Sequence, residues 1–258
     1  MTQIKEIIEY RDMIGSLVKR ELRGKYEKSV LGFLWSFLSP LFQILIYNIV
    51  FTRVFHNDLP NYYIYLMSGL LPWVFFSESL GQGTGAIIYN AEMVKKIYFP
   101  REVLVIAEVT AKLVNMLLSF IVMTVFLLAS GVGFGPQIVL LPIVVLAEYL
   151  LALGFALLIS SLTVYFRDLE YVVNVILMAW IWGTPIFYVL TQVSDPLLKD
   201  LIYANPMAHV ICCYHNVLYD HVFPPLADMI IPLAEGIAVV VIGFLVFGHL
   251  NRRFVEEL

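Results

Sequence analysis

Long charge-free apolar runs alternate with short polar stretches along this chain. The runs cover residues 29–52, 59–77, 113–147, 149–166, 171–194, 201–219 and 236–251. About 20 apolar residues carry a helix across the hydrocarbon of a bilayer. The run at 113–147 is too long for one crossing, and Gly131-Val132-Gly133-Phe134-Gly135-Pro136 divides it as a tight hairpin. Six crossings are predicted near 31–55, 60–88, 109–130, 136–165, 171–192 and 229–248.

The run at 201–219 differs from the rest. It holds Asn205-Pro206, two histidines and both cysteines, and prolines bracket it at Pro196 and at Pro224-Pro225. Basic residues decide its reading, because Lys and Arg collect on the cytoplasmic side of a membrane protein. With six crossings, 14 of the 16 Lys and Arg fall on one side, seven of them before residue 29. A seventh crossing would carry Arg252 and Arg253 to the outside. Residues 194–228 therefore read as a re-entrant broken helical hairpin on the outer side. Non-helical backbone at that depth must pack against protein or line a water-filled path.

Composition agrees with this all-α membrane architecture. Hydrophobic residues make up 60% of the 258 and charged residues 14%, and mean hydropathy is +0.85. So little polar surface excludes a soluble enzyme and a disordered chain. The net charge of −4 offers no basic field for nucleic acid. Adjacent Cys212 and Cys213 imply no disulfide framework. Residues 1–28 are charged throughout, so no cleavable signal peptide is expected.

Several segments are candidates for function. Residues 1–28 place Ile4, Ile7, Ile8, Ile14, Leu17, Val18 and Leu22 at helical spacing among charges, as in a helix lying in the cytoplasmic interface. Such a helix is either a topogenic anchor or a docking surface. The loop at 90–102 keeps Met93, Val94, Ile97, Tyr98 and Phe99 among Glu92, Lys95, Lys96 and Arg101, and Pro100 ends it. Exposed apolar residues between charges point to a protein contact or an interfacial anchor. Glu78, Glu148 and Glu235 lie within apolar runs and must face the bundle, a partner or water. Glu108 and Lys112, four apart with the acid first, predict a local ion pair. Aromatic side chains crowd 62–76 and 180–188. They read as an interfacial belt or as a stacking surface for sugars.

Parts for catalysis are missing from the sequence. It has no H-E-x-x-H, no G-x-S-x-G and no acidic pair suited to a magnesium diphosphate. His209, His215 and His221 recur every six residues, which puts them on no common helix face, and no metal site is expected. No nucleotide-binding G-x-x-x-x-G-K-[ST] occurs, so this chain does not hydrolyse ATP itself.

Short motifs run in order along nearly the whole chain. They are Lys25-Tyr26, Leu31-Gly32-Phe33-Leu34-Trp35, Pro40-Leu41, Pro60-Asn61-Tyr62 and Ser68-Gly69-Leu70-Leu71-Pro72-Trp73. They continue with Asn90-Ala91, Lys95-Lys96, Phe99-Pro100-Arg101, Phe166-Arg167-Asp168, Thr184-Pro185-Ile186 and Asn205-Pro206. Together they resemble the ABC-2-type permeases that export cell-surface polysaccharides, and the 60–73 tract is most similar to the O-antigen type.

The resemblance implies a homodimer in a bacterial plasma (inner) membrane, with both termini cytoplasmic, bound to two copies of a separate ATPase that holds ATP and magnesium. Residues 1–28 would be the interface helix, 31–248 the membrane domain and 249–258 the cytoplasmic tail. Glu92, Met93, Val94, Lys95, Lys96, Ile97, Tyr98, Phe99 and Arg101 would couple to the ATPase. A lipid-linked glycan would pass between the first and fifth spans, along Trp35, Tyr47, Trp180, Trp182 and Tyr188. Thr184-Pro185 would break the fifth helix, and Asn205-Pro206 would belong to an outer gate. Rival expectations are a teichoic-acid or small-lipid or drug permease of the same fold, and a membrane-embedded glycosyl or lipid transferase.

Overall fold

A computed structural model describes residues 2–24, 32–56, 59–251 and 254–257. Lys25-Tyr26, Lys28, Leu31, Arg252 and Arg253, which enter the motif and charge arguments, lie outside the described residues. Every regular element among the described residues is helical. In chain order they are α1 (Thr2–Glu9), α2 (Arg11–Gly24), α3 (Trp35–Arg53), α4 (Tyr62–Gly83), α5 (Ala91–Lys96) and α6 (Glu102–Ala129). There follow α7 (Leu141–Thr163), α8 (Leu169–Trp180), α9 (Pro196–Tyr203), α10 (Pro206–Leu218), α11 (Leu226–Leu250) and α12 (Phe254–Glu257).

Among the described residues, three helical stretches are long and apolar enough to cross a membrane: Glu102–Ala129, Pro136–Thr163 and Leu226–Leu250. The turn expected at 131–136 is present. Gly131 and Gly133 adopt φ of +75° and +70°, a backbone that residues with a Cβ rarely take. The predicted 109–130 crossing begins earlier, because helix α6 runs back to Glu102. The predicted 171–192 crossing stops earlier, since α8 and its terminal 3-10 turn end at Gly183. Pro185 accounts for this: a residue before proline is pushed out of the helical region, and Thr184 is extended at φ −115°, ψ 134°.

Helix α4 is the centre of the bundle and is buried along most of its length. Helices α7 and α11 pack through small residues. A Cβ on Gly154 would lie 2.6 Å from the Val239 carbonyl carbon and the Val240 nitrogen, and one on Gly243 would lie 2.9 Å from the Gly154 oxygen. Bare glycines let the two backbones approach this closely, as lipid-embedded helices do in the absence of a hydrophobic drive. Helix α2 lies along α6. Its Glu21 carboxylate reaches Lys112 Nζ at 3.3 Å, and Lys112 also pairs with Glu108 at 2.8 Å while only 1% exposed.

Candidate transport path and docking segment

The chain from 91 to 101 forms the first part of the candidate site. A 3-10 turn (Ile88–Asn90) leads straight into α5, where Glu92 and Lys96 pair at 2.8 Å on an exposed face. Val94 and Phe99 point inward, whereas Ile97 is exposed and Tyr98 is 89% exposed. The segment thus rests on two apolar side chains and presents Lys95, Ile97 and Tyr98 outward. It is tied at both ends. Arg20 Nη2 donates to Asn90 Oδ1 at 2.7 Å. Arg101 Nη1 donates to Asn251 at 2.6 Å (O) and 2.7 Å (Oδ1), with its guanidinium 5.7 Å from the Phe254 ring centre. Burial pushes the Arg101 pKa below its ordinary value. A groove of about 570 Å³ runs between this segment, the end of α1 and the end of α11.

The second part is a chain of hollows along α3. One of about 280 Å³ holds Trp35, Ser39 and Gln43 of α3 against Glu78, Lys112 and Asn115. The next, about 670 Å³, shares Trp73, Ser77 and Glu78 with the first and adds Tyr47, Trp182 and Glu170. A third, about 500 Å³, holds Phe51, Phe55, Phe187 and Tyr188. Four of the five path candidates, Trp35, Tyr47, Trp182 and Tyr188, therefore line hollows that follow one another up α3. Aromatic faces alternate there with groups that accept or donate hydrogen bonds. Tyr47 meets Phe187 edge-on at 5.0 Å, and Trp182, 60% exposed, lies 5.1 Å from Phe187.

The fifth candidate, Trp180, occupies a different place. Its ring packs edge-on against Phe76 at 5.4 Å and Phe155 at 6.1 Å, and its Nε1 donates to Asn205 Oδ1 at 2.9 Å. Asn205 is the node that brings together the residues named for the helix break and the gate. Its Nδ2 donates to Gly183 O at 3.1 Å and to Thr184 Oγ1 at 2.9 Å, and Thr184 Oγ1 donates to Trp180 O at 3.0 Å. Asn205 Oδ1 also accepts from Met207 N at 3.0 Å, which caps α10, and Pro206 fills the first helical position, where no N–H is needed. Next to the node, α4 holds the turn and bend that follow Pro185. Tyr62 Oη donates to Phe187 O and Tyr65 Oη to Tyr188 O, both at 2.8 Å.

Of the acids in apolar runs, Glu148 finds a partner within the bundle, whereas Glu235 Oε2 has none among the described residues. Glu148 on α7 accepts from Tyr214 Oη on α10 at 2.6 Å. Glu108 pairs with Lys112 as its spacing predicts. Among the histidines, His209 meets Asp228 at 2.9 Å and Tyr203 O at 3.0 Å. Sequence reasoning missed Tyr89, Glu170, Arg20 and Asn251. Tyr89 Oη donates to Glu170 Oε1, and that bond raises the tyrosine pKa to about 12. Nothing local in the sequence marks a pair 81 residues apart.

Apolar helices of crossing length mark a multi-pass membrane protein. The ABC-2 type transporter family matches residues 13–219, and the chain belongs to that family. It is 33% identical over 256 residues to the O-antigen export system permease protein RfbA of Myxococcus xanthus, covering 99% of this chain and 98% of that one. A Klebsiella pneumoniae protein of the same name is 29% identical over 254 residues, covering 96% and 95%. The polysialic acid transport protein KpsM of Escherichia coli is 22% identical over 205 residues, covering 77% and 78%.

Proposed function

We propose that this chain is the membrane subunit of an ABC exporter that moves a lipid-linked, O-antigen-like polysaccharide from the cytoplasmic to the outer side of a bacterial plasma membrane. The observation that carries the reading is the string of hollows along α3, with Trp35, Tyr47, Trp182 and Tyr188 in them. Sugar rings stack on aromatic faces without needing one fixed sequence, and the intervening polar groups exchange hydrogen bonds with hydroxyls. The names borne by the relatives, O-antigen export and polysialic acid transport, point to the same class of cargo.

In this reading six spans cross the bilayer with both termini cytoplasmic. Residues 1–28 lie in the interface, 31–248 form the membrane domain and 249–258 the tail. Helices α9 and α10 form a re-entrant outer hairpin. Two copies of the chain face each other across their first and fifth spans and enclose the path. Each carries one ATPase subunit, which holds the ATP and magnesium. Lys95, Ile97 and Tyr98 are the contact offered to that subunit. Closure of the ATPases displaces α5, and rigid helices deliver the movement to the path. The Asn205 node, which joins the end of α8 to the start of α10, lets the outer hairpin follow α8.

The test is co-expression with the neighbouring ATPase, followed by ATP-driven uptake of lipid-linked glycan into inverted vesicles. Glycan inside the vesicles that depends on ATP supports the reading. Transport of a short lipid or drug alone would assign the chain to a small-substrate permease instead.

A further inference from the structure

Residues 85–90 join the central helix α4 to the exposed helix α5, and one side-chain bond leaves this joint for a path-lining helix. Tyr89 sits two residues before α5 and donates from its hydroxyl to Glu170 Oε1, in the first turn of α8. Glu170 also lines the 670 Å³ hollow with Tyr47 and Trp182. Tyr89 is 67% exposed, so burial does not hold it. Its seat is a bare glycine. A Cβ on Gly85 would stand 2.2 Å from Tyr89 Cε2, and Tyr89 N donates to Gly85 O at 2.9 Å. On the neighbouring position, Asn90 Nδ2 donates to Ala86 O at 2.8 Å and Arg20 grips Asn90 Oδ1. The joint is therefore braced, and Tyr89 is the arm that extends from it to α8.

We propose that the Tyr89–Glu170 pair is the positioning element that carries displacement of α5 to α8, so that movement at the ATPase contact widens or narrows the hollow that α8 walls. This rests on reading α5 as the ATPase-docking helix. A hydrogen bond to a carboxylate is among the stronger neutral-to-charged contacts and resists stretching. No loop separates Tyr89 from α5. Beyond Glu170, α8 is an unbroken helix of 12 residues, about 18 Å long. Its far end carries Trp180, bonded to Asn205 at the cap of α10. One unbroken series of contacts thus leads from the docking helix to the outer hairpin.

The experiment uses the permease–ATPase complex in vesicles and reads glycan transported per ATP hydrolysed. Tyr89→Phe removes the hydroxyl alone. Gly85→Ala leaves both partners intact and forces the ring away. ATPase co-purification and basal hydrolysis stay at the parent level in both variants. Transport per ATP falls about fivefold to tenfold, the scale of one coupling contact, and Tyr89→Phe combined with Glu170→Gln is no worse than Tyr89→Phe alone. Tyr89→Phe is a mild exposed change that keeps the test usable even if Gly85→Ala folds poorly. Parent-level transport per ATP in Tyr89→Phe, or additive losses in the double variant, overturns the inference while leaving the exporter reading intact. A parent complex that fails to assemble or to transport glycan overturns the exporter reading and this inference with it.

Discussion

Replacing Asn205 by alanine tests whether the break in α8 and the start of α10 are held as one unit. The side chain makes four hydrogen bonds: to Gly183 O and Thr184 Oγ1 as donor, and from Trp180 Nε1 and Met207 N as acceptor. Loss of the helix cap costs about 1 kcal/mol. The other three contacts are worth about 0.6 kcal/mol each on the scale measured between helices in membranes. The total of about 3 kcal/mol corresponds to a fall in melting temperature of roughly 6–12 °C for a chain of this size. Asn205→Ser keeps a capping oxygen but cannot reach Trp180 or Gly183, so it recovers only about a third of the loss. Thermal unfolding in detergent, followed by intrinsic tryptophan fluorescence, reads both variants. An alanine variant melting within about 2 °C of the parent would refute the reasoning, and so would a serine variant as stable as the parent.

Other perturbations probe separate parts of the account. Gly154→Val drives a side chain into the Val239–Val240 backbone, so little monodisperse protein should survive extraction; a normal size-exclusion profile would contradict the packing of α7 on α11. Lys112→Met removes the buried partner of Glu108 and of the one-third exposed Glu21 and should cost about 3 kcal/mol, with part recovered by adding Glu108→Gln; melting curves of the single and double variants check it. Lys95→Glu with Lys96→Glu should abolish ATPase co-purification while leaving membrane insertion unchanged, and full co-purification would remove 91–101 from the docking contact. Trp182→Ala, at an exposed ring lining the 670 Å³ hollow, should lower glycan transport without changing ATPase binding, and parent-level transport would return Trp182 to the lipid belt.

The helical architecture was legible because a period of 3.6 and charge-free length act locally on the chain. Gly131–Pro136 announced its turn for the same reason, since the two positive-φ positions are glycines. Boundaries were less legible. The apolar run continues past Gly183, and only the Thr184-Pro185 pair says that helix stops there. Helix α6 continues N-terminally through Glu108 and Glu102, which a charge-free window discards although an ion pair makes Glu108 acceptable. Pairings across the fold were invisible. The sequence singled out Trp180, Thr184 and Asn205 separately and on different grounds, but their shared hydrogen bonds span up to 25 positions. Trp180 looked like Trp182 in sequence, yet two positions apart the first packs on Phe76 and Phe155 and the second lines the 670 Å³ hollow. Tyr89 and Glu170 carried no local mark, being one tyrosine among 15 and one acid among 20.

The most direct test of the central claim is ATP-dependent movement of lipid-linked glycan in vesicles holding only this chain and its ATPase. The account predicts that glycan becomes protected inside inverted vesicles with ATP, and that none does with a hydrolysis-deficient ATPase. Glycan movement that ignores ATP, or a chain that binds no ATPase while its glycan stays outside, would contradict it.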